Sequence, residues 1–165
     1  ERAEIDVAGF DAQFAAEAEA LGHALDGASV VACLAGDVRP YMVTALDRLK
    51  EAGFGIGCIT NNVKAGKGAA MARSEDKALH IESIMARFDH VIESSKARVR
   101  KPDPRIYQMM CATLGVEAQV CIYLDDLGIN CKPAAALGMA AIKVGDPAAA
   151  LAELADALGV ARGLF

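Results

Sequence analysis

The sequence predicts an α/β fold, a parallel β-sheet with helices on both faces, and three observations carry that expectation. Four short runs have strand length and are largely apolar: GIGCIT (55–60), HVIES (90–94), VCIYLD (120–125) and AAIKV (140–144). Segments with helical spacing alternate with them along the chain. Several of the runs are apolar at consecutive positions, as strands covered on both faces are.

The elements follow in order. In DVAGFDAQFAAEAEALGHA (6–24), Phe10, Phe14, Ala18 and Leu21 recur at helical intervals. A short second helix is expected in DGASVVACLAG (26–36). Pro40 opens a helix that Gly53 closes, since proline suits a first turn and glycine a C-terminal cap. The strand GIGCIT comes next. NNVKAGKGAAMARSEDK (61–77) has weak periodicity and reads as a loop, and residues 78–87 read as helix. After HVIES, Pro104 and Gly115 bracket the helix in DPRIYQMMCATLG (103–115). The strand VCIYLD leads to a helix that reaches Leu137 and is capped by Gly138. AAIKV is the last strand, and DPAAALAELADALG (146–159) ends the series with Leu151, Leu154 and Leu158 on one face.

Composition narrows the function. A chain of 165 residues, 54% hydrophobic, is long enough to bury one substantial core. The formal charge of −5 argues against nucleic acid or an anionic membrane as the partner. No apolar run approaches the length of a transmembrane helix. Five cysteines, with no CxxC among them, read as reduced, buried thiols of a cytoplasmic protein. His23, His80 and His90 have no metal-ligand spacing. KAGKG (64–68) lacks the pattern of a phosphate loop, and GFGIG precedes a strand where a dinucleotide fingerprint would follow one.

In parallel α/β sheets, ligands bind beyond the carboxyl ends of the strands. Thr60-Asn61-Asn62 ends the first strand, Lys101 follows the second, and Asp125-Asp126 ends the third, with Asn130 a little further on. A hydroxyl, amides, an ammonium and two carboxylates are thus expected at one rim. Adjacent carboxylates in a partly buried site are costly unless a cation neutralises them. Hard oxygen ligands suit Mg²⁺, and a lysine beside a strand-end hydroxyl suits a phosphoryl group. Taken alone, each element has a plainer reading: a turn that caps the following helix for Asp125-Asp126, a solvated charge run (KARVRK) for Lys101, a strand-ending turn for Thr60-Asn61.

The stretches ITNN, RKPDPRIY and YLDDLGINCKPAAALGMAAIKV, in that order, resemble motifs II, III and IV of the haloacid dehalogenase-like hydrolases. The subgroup they are most similar to is the phosphatase-like N-terminal domain of soluble epoxide hydrolases. The resemblance implies a Rossmann-like core over 37–165, with a partial small helical cap over 1–36. It implies that Thr60 and Asn61 bind the transferring phosphate and that Lys101 steadies the nucleophile and the phosphate. It assigns Mg²⁺ to the acidic pair, with Asp126 the preferred direct ligand, Asp125 assisting it and Asn130 supporting from behind.

One expected motif is missing. The family's nucleophile and general acid are the two aspartates of a DxDGT-like strand end, and Asp6, Asp11 and Asp26 do not form it. EIDVAGFDAQFAAEAEALGHALDG is similar to the second half of the helical cap, so the chain is expected to begin inside the cap and the nucleophile strand to lie upstream. The implied protein is a Mg²⁺-dependent phosphatase acting on a small phosphorylated substrate, as a monomer or homodimer, and residues 1–165 alone are expected to be inactive. The rival activities are 2-haloacid dehalogenation, which uses an aspartate but no metal, and a non-catalytic binding or scaffolding role.

Overall fold

The structure, a computed structural model, describes residues 2, 4–33, 37–62 and 75–165, with residues 75–77 as backbone only. The stretch 63–74, which contains KAGKG, and the expected end of the second helix at 34–36 lie outside the described residues.

Helix α1 (Val7–Ala20) starts where the Asp6 carboxylate accepts the Gly9 N–H at 2.7 Å. Helix α2 (Gly27–Cys33) starts where Asp26 accepts both the N–H and the hydroxyl of Ser29, at 2.6 and 2.8 Å. Asp11 of α1 also accepts the Ala28 N–H at 2.9 Å, so one helix caps the other. Their close approach requires Gly27. A Cβ there would sit 2.8 Å from the Asp11 Cα and 3.1 Å from the Phe10 ring. Gly27→Ala is therefore expected to force α2 off α1 and to cost about 1–3 kcal/mol, read as a lower urea midpoint. An unchanged midpoint would mean that this helix pair does not unfold with the rest.

Pro40 begins helix α3 (Pro40–Glu51), and Gly53, at φ +84°, ends its turn before strand β1 (Gly57–Thr60). Helix α4 (Glu75–Met85) leads to strand β2 (His90–Glu93). Asp89 fixes the entry to both strands: it takes the Lys50 ammonium at 2.8 Å on one oxygen and the Ile56 N–H at 2.8 Å on the other. A single turn, α5 (Ser94–Ala97), precedes helix α6 (Pro104–Leu114), which Asp103 caps and Gly115 closes at φ +67°. Strand β3 (Ile122–Asp125), helix α7 (Gly128–Ala136), strand β4 (Ala140–Lys143) and helix α8 (Pro147–Leu158) complete the alternation.

The strands form two parallel pairs. Thr60 lies opposite Glu93 in β1–β2, and Asp125 lies opposite Lys143 in β3–β4. Among the described residues no ladder joins β1 to β3, yet one core serves both pairs. Ile106 and Tyr107 of α6 are fully buried beside Ile92, Met110 and Ala134, and Ile59 of β1 and Tyr123 of β3 pack on the same cluster. A second cluster joins Ala45 of α3, Ile142 of β4 and the Leu151 and Leu154 face of α8.

Two expectations need correction. Ser94, read as strand, begins α5, because its hydroxyl and the Ser95 N–H are drawn into bonds with Asn62. The thiols are all free, but only Cys131 is buried; Cys33 is exposed at the end of α2, and Cys58, Cys111 and Cys121 are half-buried. Among the described residues no helix is long and apolar enough to cross a membrane.

Candidate active site

Lys101 ties the ends of the two strand pairs together. Its main chain is held by the Asn61 side chain at both polar ends of the amide: Lys101 N–H donates to Asn61 Oδ1 at 2.9 Å, and Asn61 Nδ2 donates to the Lys101 carbonyl at 3.0 Å. Its ammonium crosses to β3 and donates to Asp125 Oδ2 at 2.8 Å. The residue just past β1, the loop after β2 and the last residue of β3 are thereby joined at one rim. Asn62 adds a brace: its Nδ2 donates to Glu93 at 3.0 Å, and its N–H donates to the buried Ser94 hydroxyl at 3.0 Å. Thr60, half-buried at the end of β1, lies at the same strand end.

The adjacent aspartates have opposite surroundings. The Asp125 side chain is 4% exposed and accepts four hydrogen bonds. Lys101 Nζ and the Tyr123 hydroxyl, at 2.8 and 2.7 Å, share Oδ2; the Leu127 N–H and Asn130 Nδ2, each at 2.9 Å, share Oδ1. An ionised carboxylate has about four acceptor directions, so all of them are used. Burial opposes ionisation of Asp125, but the Lys101 ammonium, the Tyr123 hydroxyl, the Asn130 amide and the Leu127 N–H outweigh it, and the carboxyl titrates below its ordinary value. Asp126 is exposed, and among the described residues no hydrogen bond engages its carboxylate.

This difference resolves the cost of two neighbouring carboxylates. Strand alternation turns Asp125 inward and Asp126 outward, and the ammonium neutralises the inner one. Asn130 is 4% exposed and joins the site to the core, because its carbonyl accepts the hydroxyl of the fully buried Tyr107 at 2.8 Å.

The sequence reasoning passed over Tyr123, Tyr107 and Ser94. Tyr123 stands two residues before Asp125 on one face of β3, a period-2 signal that could have exposed it. Tyr107 and Ser94 carry no comparable local signal.

The sequence and the fold have counterparts among known proteins. The sequence model of the haloacid dehalogenase-like hydrolases matches residues 3–138. Bifunctional epoxide hydrolase 2 of Sus scrofa is 38% identical over 119 residues, 72% of this chain and 21% of that protein. A phosphatase of Mycobacterium tuberculosis (strain CDC 1551 / Oshkosh) is 31% identical over 108 residues, 66% of this chain and 45% of that one. The fold recurs in a HAD family enzyme of Bacteroides thetaiotaomicron solved in complex with magnesium and inorganic phosphate. The TM-score is 0.57 at 19% identity, covering 88% of this chain and 73% of that chain. The chain belongs to the haloacid dehalogenase-like hydrolases. It spans about a fifth of the first of these relatives and less than half of the second.

Proposed function

We propose that this chain is the core of a Mg²⁺-dependent phosphatase that hydrolyses a small phosphate monoester through an aspartyl-phosphate. The observation that carries the reading is the Lys101 bridge: a main chain clamped by Asn61, an ammonium on Asp125, and the exposed carboxylate of Asp126 next in sequence. A cation at the rim and, one residue beyond its counterion, a hard oxygen donor open to solvent support a site for a phosphoryl group and its metal.

The donor set fits Mg²⁺. Asp126 would hold the ion directly, whereas Asp125, with its acceptor directions filled, would act through Lys101. Among the described residues no three acidic, imidazole or thiol side chains gather, and Mg²⁺ commonly takes one or two carboxylates, water and phosphate oxygens. Bound there, the ion would neutralise charge on the phosphoryl oxygens. Thr60 would donate its hydroxyl to the phosphate. Because the Asn61 amide is committed to Lys101, the Asn61 contact would come from its main-chain N–H.

The nucleophile belongs, in this reading, to a strand outside residues 1–165 that enters between β1 and β3. The edges of those two strands that face away from their partners support it, as does the full occupancy of Asp125. The incoming carboxylate attacks phosphorus, the bond to the alcohol oxygen breaks, and that oxygen takes a proton. Water then attacks the phosphoryl-aspartate, releasing orthophosphate and restoring the carboxylate.

The intact protein is expected to hydrolyse p-nitrophenyl phosphate with Mg²⁺, to stop when the ion is chelated, and to release no halide from 2-chloropropionate. Residues 1–165 alone are expected to show no turnover. Halide release that survives the chelator would replace this reading with dehalogenation, and neither activity in the intact protein would favour the binding or scaffolding role. The working protein is expected in the cytoplasm, as a monomer or homodimer.

A further inference from the structure

The geometry points to Tyr123 as a positioning residue that sets how tightly Asp125 holds the Lys101 ammonium, and so how much of that ammonium is left for a phosphoryl anion; this rests on the phosphatase reading above.

Tyr123 and Asp125 alternate onto one face of β3, and the phenol donates to Asp125 Oδ2 at 2.7 Å, the same oxygen that takes Lys101 Nζ at 2.8 Å. A neutral donor thus competes with the ammonium for one acceptor. An ammonium has three donors. One is spent on Asp125, and among the described residues no other acceptor holds the Lys101 side chain. By drawing charge from Oδ2, the phenol weakens the hold of the pair without breaking it, and among the described residues the other two donors of the ammonium are uncommitted.

The ring does not need its hydroxyl to pack. It meets the fully buried Tyr107 edge-on, with ring centroids 5.1 Å apart at 79°, as a phenylalanine would. The hydroxyl is the donor in this contact, because an ionised carboxylate can only accept. The position of Asp125 itself is guaranteed from the other side by Asn130 and the Leu127 N–H. Removing the hydroxyl therefore leaves the carboxylate in place and gives Lys101 the whole of Oδ2.

The test uses the intact protein and Tyr123→Phe, with orthophosphate and Mg²⁺ as separate probes by titration calorimetry, alongside turnover of p-nitrophenyl phosphate. The expected result is orthophosphate affinity and kcat/KM each lowered about tenfold, the loss of part of one charge-assisted hydrogen bond, with Mg²⁺ affinity unchanged. A merely structural hydroxyl would leave the two ligands affected alike. Equal affinities in parent and variant, or a parallel loss of Mg²⁺ and orthophosphate, would overturn the role of Tyr123. A parent protein that binds neither probe would overturn the phosphatase reading and this role with it.

Discussion

On the phosphatase reading, Lys101→Met in the intact protein is expected to lower turnover of p-nitrophenyl phosphate by at least about 10²-fold, the scale of losing one preorganised charge-stabilising donor, and to lower folding stability by about 3 kcal/mol. The stability loss follows from burial. The Lys101 side chain is 14% exposed and that of Asp125 4%, and the pair meets at 2.8 Å. Removing one member of a buried pair strands the other, which costs about 3–5 kcal/mol. The three donors that remain on Asp125 hold the cost to the lower end. The loop itself stays anchored, because Asn61 grips the main chain of Lys101 and not its side chain. Lost activity in a folded variant therefore reports the missing ammonium. The pH dependence carries the same signature. A carboxyl whose folded pKa is depressed contributes stability above its unfolded value, about 4, and that stability is lost as pH falls through the folded value. Without Lys101 the depression shrinks, so this carboxyl has less stability to lose on acidification and the variant's profile should be flatter between neutral and acid pH. Urea unfolding across pH 3–7 measures both effects, and superimposable profiles for parent and variant would contradict the pairing.

What could be read from the sequence was what is local. Pro40 with Gly53, and Asp103-Pro104 with Gly115, fix helix ends through the φ preferences and caps of single residues, and those boundaries hold within a residue or two. The rim was legible because strand ends and the rule for parallel sheets locate it without any knowledge of packing. What escaped was what depends on distant partners. Asn61 reads as a strand-end polar residue, and only the fold reveals that its amide spans forty positions to hold Lys101. Ser94 reads as strand until Asn62 draws its hydroxyl into α5. Tyr123 reads as one more bulky strand residue, and its hydroxyl acquires meaning only beside the Lys101 ammonium. The division of the strands into two pairs is likewise invisible in four apolar runs, because hydrophobicity specifies that a strand is buried and not which neighbour it takes.

Asp126→Asn and Asp125→Asn should then fail in opposite ways, although the two residues are adjacent and chemically identical. Asp126 is exposed and engages no side chain among the described residues, so its amide variant should unfold within about 0.5 kcal/mol of the parent while losing the response of turnover to Mg²⁺. Asp125 accepts from four donors, and an amide in its place would turn an NH₂ group toward donors at one of the two positions. That substitution breaks a buried ion pair and leaves Lys101 without its counterion, so about 3 kcal/mol or more of stability should go with it. Thermal unfolding and Mg²⁺ titration of the two variants side by side separate the roles. The reverse pattern, a destabilised Asp126→Asn and a stable Asp125→Asn that no longer binds the ion, would move the metal to the inner carboxylate and require Lys101 to release it first. The four bonds on Asp125 make that exchange the costlier arrangement. They explain why the chain can hold two like charges in succession: the first is neutralised within the fold, and the second is left in solvent, where water screens it.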